Sequence, residues 1–210
     1  MSIRVIVVDD HLLIRRGLRD TLAEAGGIQV VGEAGDYGEL RELLRRQACD
    51  VLLLDVNLPG RSGIDALRSL SEDGQAVRSV VLSQHAEEQY GLRAFRAGAM
   101  GYLNKTAAPE QIVEAIRVVA SGRKYVTPAL AQVLAESVAS RAGGSHEHLS
   151  DREMQTLELI ARGCRLSEIA ERLSLSPKTV SVYRARVLEK LGLSGNAELA
   201  TYAVRNGLID

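Results

Sequence analysis

Val51-Leu52-Leu53-Leu54-Asp55-Val56-Asn57-Leu58-Pro59-Gly60 places four consecutive apolar residues directly before an aspartate, with a Pro-Gly turn soon after. An unbroken apolar strand suits a parallel sheet covered on both faces, whereas a strand with one wet face would alternate. The flanking segments repeat the theme. Upstream, Ile3 to Val8 reads as a strand ending in Asp9-Asp10, His11 to Ala25 as an amphipathic helix stopping at Gly26-Gly27, Ile28 to Val31 as a strand and Tyr37 to Gln47 as a helix. Downstream, Ile64 to Leu70 reads as a helix, Ser79 to Leu82 as a strand, Glu87 to Ala97 as a helix, Met100 to Leu103 as a short strand and Pro109 to Ala120 as a helix opened by proline. Parallel neighbours need helical crossovers, so strands alternating with helices predict an α/β fold: a five-stranded, doubly wound parallel sheet.

In such sheets chemistry gathers at the carboxyl ends of the strands. Asp9 and Asp10 follow the first strand, Asp55 the third, Ser83 the fourth, and Lys105 lies just beyond the fifth. Carboxylates brought together by a fold repel one another and are costly without a cation. All-oxygen ligation suits Mg²⁺, to which the backbone carbonyl of Asn57 could add a further ligand. A lysine and a hydroxyl would complete a clamp for a phosphoryl group. Taken singly, each of these residues has an ordinary role, as a helix cap or a solvated charge; their joint position at four strand ends points to a site.

The strings Val7-Val8-Asp9-Asp10-His11, Leu54-Asp55-Val56-Asn57-Leu58-Pro59-Gly60, Val81-Leu82-Ser83 and Gly101-Tyr102-Leu103-Asn104-Lys105 resemble the CheY-like receiver domain, over Met1 to about Ser121. The resemblance implies that Asp55 is a phosphoacceptor for a sensor histidine kinase. It implies that Asp9, Asp10 and Asp55 hold Mg²⁺, that Lys105 pairs with the phosphate, and that Ser83 and Tyr102 form the switch. Ser83 stands where threonine is commoner and Gln84 where a small residue is usual, while Asn57 and His85 occupy positions that tune acyl-phosphate lifetime in relatives.

From Ser121 the pattern loosens. Ala129 to Ala139 suits a short helix and Arg141 to His148 a flexible linker, with His146 and His148 as solvated loop residues. Three domains are therefore expected: 1–121, a linker 122–148, and 149–210. The last opens with a capping box, Ser150 and Glu153, before a helix through Ile160 ending at Gly163. A second helix holds Ser167 to Leu173, Ser174-Leu175-Ser176 makes a tight turn, and Pro177 starts a third helix that runs to Leu191 and is closed by Gly192. A fourth spans Asn196 to Arg205. Short helix, brief turn and longer basic helix is the arrangement of a DNA-binding helix-turn-helix. Spacing turns Val180, Val187 and Leu191 inward and Ser181, Val182, Ala185 and their neighbours outward, flanked by Lys178, Arg184 and Arg186. Small side chains suit a helix inside a major groove, and basic flanks suit phosphate contact.

This half resembles the LuxR/NarL-type helix-turn-helix, through Leu149 to Glu153, Glu168-Ile169-Ala170, Leu175 to Val180, and Glu189 to Gly192. With the receiver upstream, the chain is similar to NarL/FixJ response regulators over nearly its whole length. That resemblance implies a transcription factor with no dedicated enzymatic role beyond self-dephosphorylation. It implies masking of the third helix until phosphorylation, then homodimerisation on double-stranded promoter DNA through Lys178, Thr179, Ser181, Val182, Tyr183, Arg184, Ala185 and Arg186. Tyr183 replaces the histidine common in relatives, but a phenol can still bond to phosphate.

Composition agrees. A net charge of −1 conceals a helix, Ser176 to Leu191, carrying Lys178, Arg184, Arg186 and Lys190 against Glu189 alone. Cys49 and Cys164 lie far apart, so two buried thiols in a reducing compartment are expected. No apolar run approaches the roughly 20 residues of a membrane span and Met1 to Val5 lacks a signal-peptide pattern, which predicts a cytoplasmic protein. An aspartyl-nucleophile phosphatase would want Asp-x-Asp after the first strand and leaves the second half unexplained. A nucleotide-binding module would want a glycine-rich phosphate loop, and none follows any strand.

Overall fold

The computed structural model describes residues 2–139 and 145–209. Strands β1 (Ile3–Val8), β2 (Ile28–Ala34), β3 (Val51–Asp55), β4 (Ser79–Ser83) and β5 (Gly101–Asn104) alternate with helices α1 (Leu12–Glu24), α2 (Tyr37–Arg46), α3 (Gly63–Glu72), α4 (Glu87–Arg96) and α5 (Pro109–Ala120). They pair in parallel in the order β2-β1-β3-β4-β5. Helix α6 (Pro128–Ala139) follows, then a 3-10 turn (Ser145–His148), and α7 (Asp151–Ala161), α8 (Leu166–Leu173), α9 (Pro177–Leu191) and α10 (Asn196–Arg205). The chain forms two compact units, Met1–Glu136 and Ser137–Asp210.

In the first unit the pleat sorts side chains to the two faces. Val5, Val7, Val51, Leu53, Val80, Leu82 and Leu103 meet Leu18 and Leu22 of α1 and Ile112, Ile116 and Val119 of α5 in one buried cluster. Ile6 turns the other way, and its side chain and that of Leu43 of α2 both border Gly32. Register levels the strand ends: Val8 pairs with Leu54, Asp55 with Leu82, and Ser83 with Asn104.

Boundaries shift where capping was not evident in the sequence. β2 continues to Ala34 through a register shift in β1 between Val5 and Ile6. α3 begins at Gly63 because Ser62 accepts the Asp65 N–H at 3.1 Å. Both cysteines are half-buried rather than buried, and burial pushes the Cys49 thiol up to about 11. In the linker, Arg141 to Gly144 lie outside the described residues. His146 is not a solvated loop residue: it is half-buried, with its ring edge-on to Tyr202 and Nδ1 3.1 Å from the Tyr202 hydroxyl. No helix among the described residues is long and apolar enough to cross a membrane.

Candidate functional site

The levelled strand ends bring Asp9, Asp10 and Asp55 together. Asp9 and Asp55 are buried, Asp10 is exposed, and one ligand atom from each of these residues and from His11 lies within 4.8 Å of the others. Lys105 Nζ sits between the two buried carboxylates, 2.5 Å from Asp9 Oδ2 and 2.7 Å from Asp55 Oδ2. The Lys105 N–H donates to the Ser83 carbonyl at 2.7 Å, which fixes the turn that carries the side chain inward. The second oxygens are held by the backbone: His11 N–H donates to Asp9 Oδ1 at 2.8 Å and Asn57 N–H to Asp55 Oδ1 at 3.1 Å.

One lysine thus serves two buried acids. Burial pulls the Lys105 ammonium down, but Asp55 and Asp9 together hold it above the ordinary lysine range. Burial pushes the Asp55 carboxyl up, Lys105 offsets this only in part, and Asp9 adds to the rise. The site is short of positive charge and rich in hard oxygen donors, which fits a small divalent cation of the Mg²⁺ type.

Around this centre, Ser83 is fully buried and its Oγ accepts the His85 N–H at 3.1 Å. Tyr102 is fully buried, and its hydroxyl donates to the His85 carbonyl at 3.0 Å. The His85 ring stacks on Tyr90 at 4.5 Å, so the β4–α4 loop is gripped from three sides. Gln84 is exposed.

Three contributors were missed in the sequence. Arg15 donates from Nη1 to the Asp9 carbonyl and places Nε 3.4 Å from Glu33. Gly63 starts α3 against the β3 terminus, where a Cβ would lie 2.0 Å from the Asp55 carbonyl oxygen. Tyr90 looks in sequence like any helical core residue.

In the second unit Ser174 takes a left-handed conformation (φ 53°), which reverses the chain between α8 and α9 in three residues. Ser176 caps α9 by accepting the Thr179 N–H at 3.1 Å, and Gly192 closes it in the left-handed region. Val180 and Val187 are fully buried and Leu191 half-buried, while Lys178, Ser181, Val182, Ala185 and Arg186 are exposed. Thr179, Tyr183 and Arg184 lie half-buried at the margins. Two of the helix's cations have internal partners: Arg184 Nε donates to Asn196 Oδ1 at 2.6 Å, and Lys190 Nζ lies 2.6 Å from Glu153 Oε2. Glu153 also accepts the Ser150 N–H at 2.7 Å, so the capping box of α7 is bolted to the end of α9.

Comparison with known proteins agrees with both halves. Residues 5–117 match the family described as the response regulator receiver domain, and residues 147–203 match the bacterial regulatory proteins of the luxR family. The chain is 40% identical over 208 residues to the response regulator UvrY of Escherichia coli K12, covering 98% of this chain and 95% of that one. It is 41% identical over 210 residues to the response regulator GacA of Pseudomonas aeruginosa, covering 99% and 98%. Among solved structures it is similar to RcsB of Salmonella enterica serovar Typhimurium bound to a promoter in the presence of a phosphomimetic, with 25% identity, a TM-score of 0.65 and coverage of 96% and 98%. The chain therefore belongs to the NarL/FixJ-type response regulators of two-component systems, transcription regulators that join a receiver to a LuxR-type DNA-binding helix-turn-helix.

Proposed function

We propose that Asp55 is the phosphoacceptor of this regulator and that α9 is the helix that enters the DNA major groove. A carboxylate oxygen of Asp55 attacks the phosphorus of a phosphohistidine on a sensor histidine kinase; the O–P bond forms as the N–P bond breaks and the imidazole leaves. The observation that carries this reading is the placement of Lys105 Nζ within 2.7 Å of Asp55 and 2.5 Å of Asp9 at the levelled strand ends. Asp9, Asp10, Asp55 and the Asn57 carbonyl would hold Mg²⁺, which neutralises charge on the transferring oxygens when bound. Lys105 leaves Asp9 to pair with the phosphate. Ser83 supplies a hydroxyl to a phosphoryl oxygen, and Tyr102 follows through its bond to the His85 carbonyl. Water hydrolyses the acyl phosphate in time, at a rate set by Asn57 and His85, and no dedicated enzymatic activity is needed.

The receiver extends over 1–121, the linker over 122–148 and the DNA-binding domain over 149–210, acting in the cytoplasm. Phosphorylated chains pair as homodimers on double-stranded promoter DNA, where Lys178 and Arg186 contact phosphates and Ser181, Val182 and Ala185 face base edges, with Thr179, Tyr183 and Arg184 at the margins. That RcsB is solved on promoter DNA with a phosphomimetic supports the pairing of these two events.

Solution mass by light scattering tests the reading, with and without Mg²⁺ plus beryllium fluoride as the phosphoryl mimic. Wild type goes from monomer to dimer and Asp55→Asn stays monomeric. An Asp55→Asn chain that pairs like wild type would overturn the assignment.

A further inference from the structure

Helix α4 carries a glycine in its interior, Gly91, which is buried. Glycine is unfavourable there, because it loses more backbone freedom than alanine and packs no side chain. The missing side chain leaves room for another residue. A Cβ at position 91 would lie 2.5 Å from Leu130 Cδ1 and 3.6 Å from Leu130 Cγ. Leu130, in the first turn of α6, is fully buried.

Further contacts hold the start of α6 to the same edge. Thr127 Oγ1 donates to a Glu87 carboxylate oxygen in the first turn of α4 and accepts the Leu130 N–H at 3.2 Å. One hydroxyl thus caps α6 and ties it to α4. Just upstream, Lys124 Nζ lies 5.5 Å from the Phe95 ring centre, and the Tyr125 N–H donates to the Met100 carbonyl at 2.8 Å.

The seat for Leu130 lies on the helix that follows the β4–α4 loop, six residues after His85. His85 holds Ser83 Oγ by its N–H, accepts from Tyr102 by its carbonyl, and stacks its ring on Tyr90, the neighbour of Gly91. A phosphoryl group on Asp55 has oxygens that need donors, and Ser83 is one residue past the Leu82 that pairs with Asp55. If the hydroxyl turns to the phosphoryl group, the His85 N–H gives up this bond and one of the three grips on the loop that orients Tyr90 is loosened.

We propose that α6 is a latch: Leu130 seated on Gly91 holds the linker helix on α4 in the resting receiver, and phosphorylation of Asp55 unseats it. The inference rests on the phosphoacceptor reading of Asp55. With the latch closed, α6 is held to the first unit; with it open, the residues from Thr127 onward are added to the connection with the second unit. The added length changes the effective concentration at which two DNA-binding domains meet on one promoter.

Hydrogen exchange on the full chain tests this, using wild type, Gly91→Ala and Leu130→Ala, each with and without Mg²⁺ plus beryllium fluoride. Without the mimic, Gly91→Ala raises exchange of the α6 amides at least tenfold while the five strands keep their protection, since alanine favours α4 itself. Leu130→Ala does the same, and Gly91→Ala combined with Leu130→Ala is no worse than Leu130→Ala alone, because the collision is gone. In wild type the mimic raises α6 exchange to the level of Gly91→Ala. Unchanged α6 exchange in both single variants overturns the latch. So does a mimic that protects the Asn57 loop in wild type and leaves α6 as it was. A mimic that changes neither region refutes the reading of Asp55 instead, and the seat is then decided by the two variants.

Discussion

The acidic site and the outward face of α9 are built on opposite terms. Asp9, Asp55, Ser83, Tyr102 and Lys105 are buried or nearly so and converge from four strand ends; Lys105 joins the two aspartates through short hydrogen bonds, and Ser83 and Tyr102 both bond to the His85 backbone. Lys178, Ser181, Val182, Ala185 and Arg186 share a single helix face open to solvent, and what holds that helix lies on its other side, in Val180, Val187 and the Lys190–Glu153 pair. Under the proposed assignment, function and stability draw on the same atoms in the first region and are separated in the second. A substitution at a strand end should therefore change both, while one on the outward face should change binding alone.

The sharpest break of that contrast is Lys105→Met, which leaves two carboxylates buried and facing each other. It should cost about 3–5 kcal/mol in urea unfolding without divalent cation, the range for removing one partner of a buried ion pair. Added Mg²⁺ should return part of the loss. An unchanged midpoint would mean that the buried acids are not in conflict. Gly63→Ala comes next, at about 3 kcal/mol, the upper end for over-packing, because its Cβ meets backbone that cannot give way. The same unfolding curves measure it, and a neutral effect would show that the start of α3 moves freely.

Asp55→Asn should go the other way, stabilising the receiver by about 1 kcal/mol as function is lost. The sign follows from the raised Asp55 carboxyl: its charged form is disfavoured by folding, a penalty present above the raised value and relieved as pH falls. The advantage of the asparagine variant over wild type should shrink toward acid. An advantage that grows there would reverse the argument.

On α9 the effects are smaller and divide by residue. Lys178→Ala and Arg186→Ala should each lower the slope of DNA affinity against salt by about one, with melting temperature unchanged. Lys190→Ala should leave the slope alone and cost under about 1 kcal/mol, since Lys190 is partly solvated. Its signature is in pH. Burial pushes Glu153 up, but Lys190 and Ser150 outweigh this and hold it below the usual carboxylate value of 4.5. Its contribution is complete above that value and lost as pH falls through the lower folded one, so the deficit of Lys190→Ala relative to wild type should be full near neutrality and shrink as pH falls below 4.5. A slope that drops in Lys190→Ala would place this lysine on the DNA instead.

The sequence was most informative where periodicity and strand ends coincide. The unbroken run Val51 to Leu54 implied a sheet covered on both faces, and the aspartates after strands one and three implied convergence, because parallel register levels strand ends. Capping was legible too: Ser150 with Glu153, Pro177 and Gly192 lie where their chemistry predicts. What stayed hidden depends on distances across the fold. Nothing local marks Gly63 as the residue pressed on the Asp55 carbonyl, Arg15 as the donor to Asp9, or Lys190 as a partner of Glu153 rather than a DNA cation. The charge count on α9 could not tell which cations face outward and which are held by partners within the fold.

The three-residue reversal at Ser174 has a consequence for how such a protein could be redirected. With Val180 and Val187 locked inward and Lys190 bolted to α7, α9 cannot swivel to suit a new operator. If α9 reads DNA as proposed, a change of target must come from exchanging the side chains at 181, 182 and 185, with 178 and 186 positioning them on a stationary frame. Under the proposed assignment positions 181, 182 and 185 form a removable nameplate: grafted together from another regulator they should carry its address with them, leaving the melting behaviour of the domain as it was.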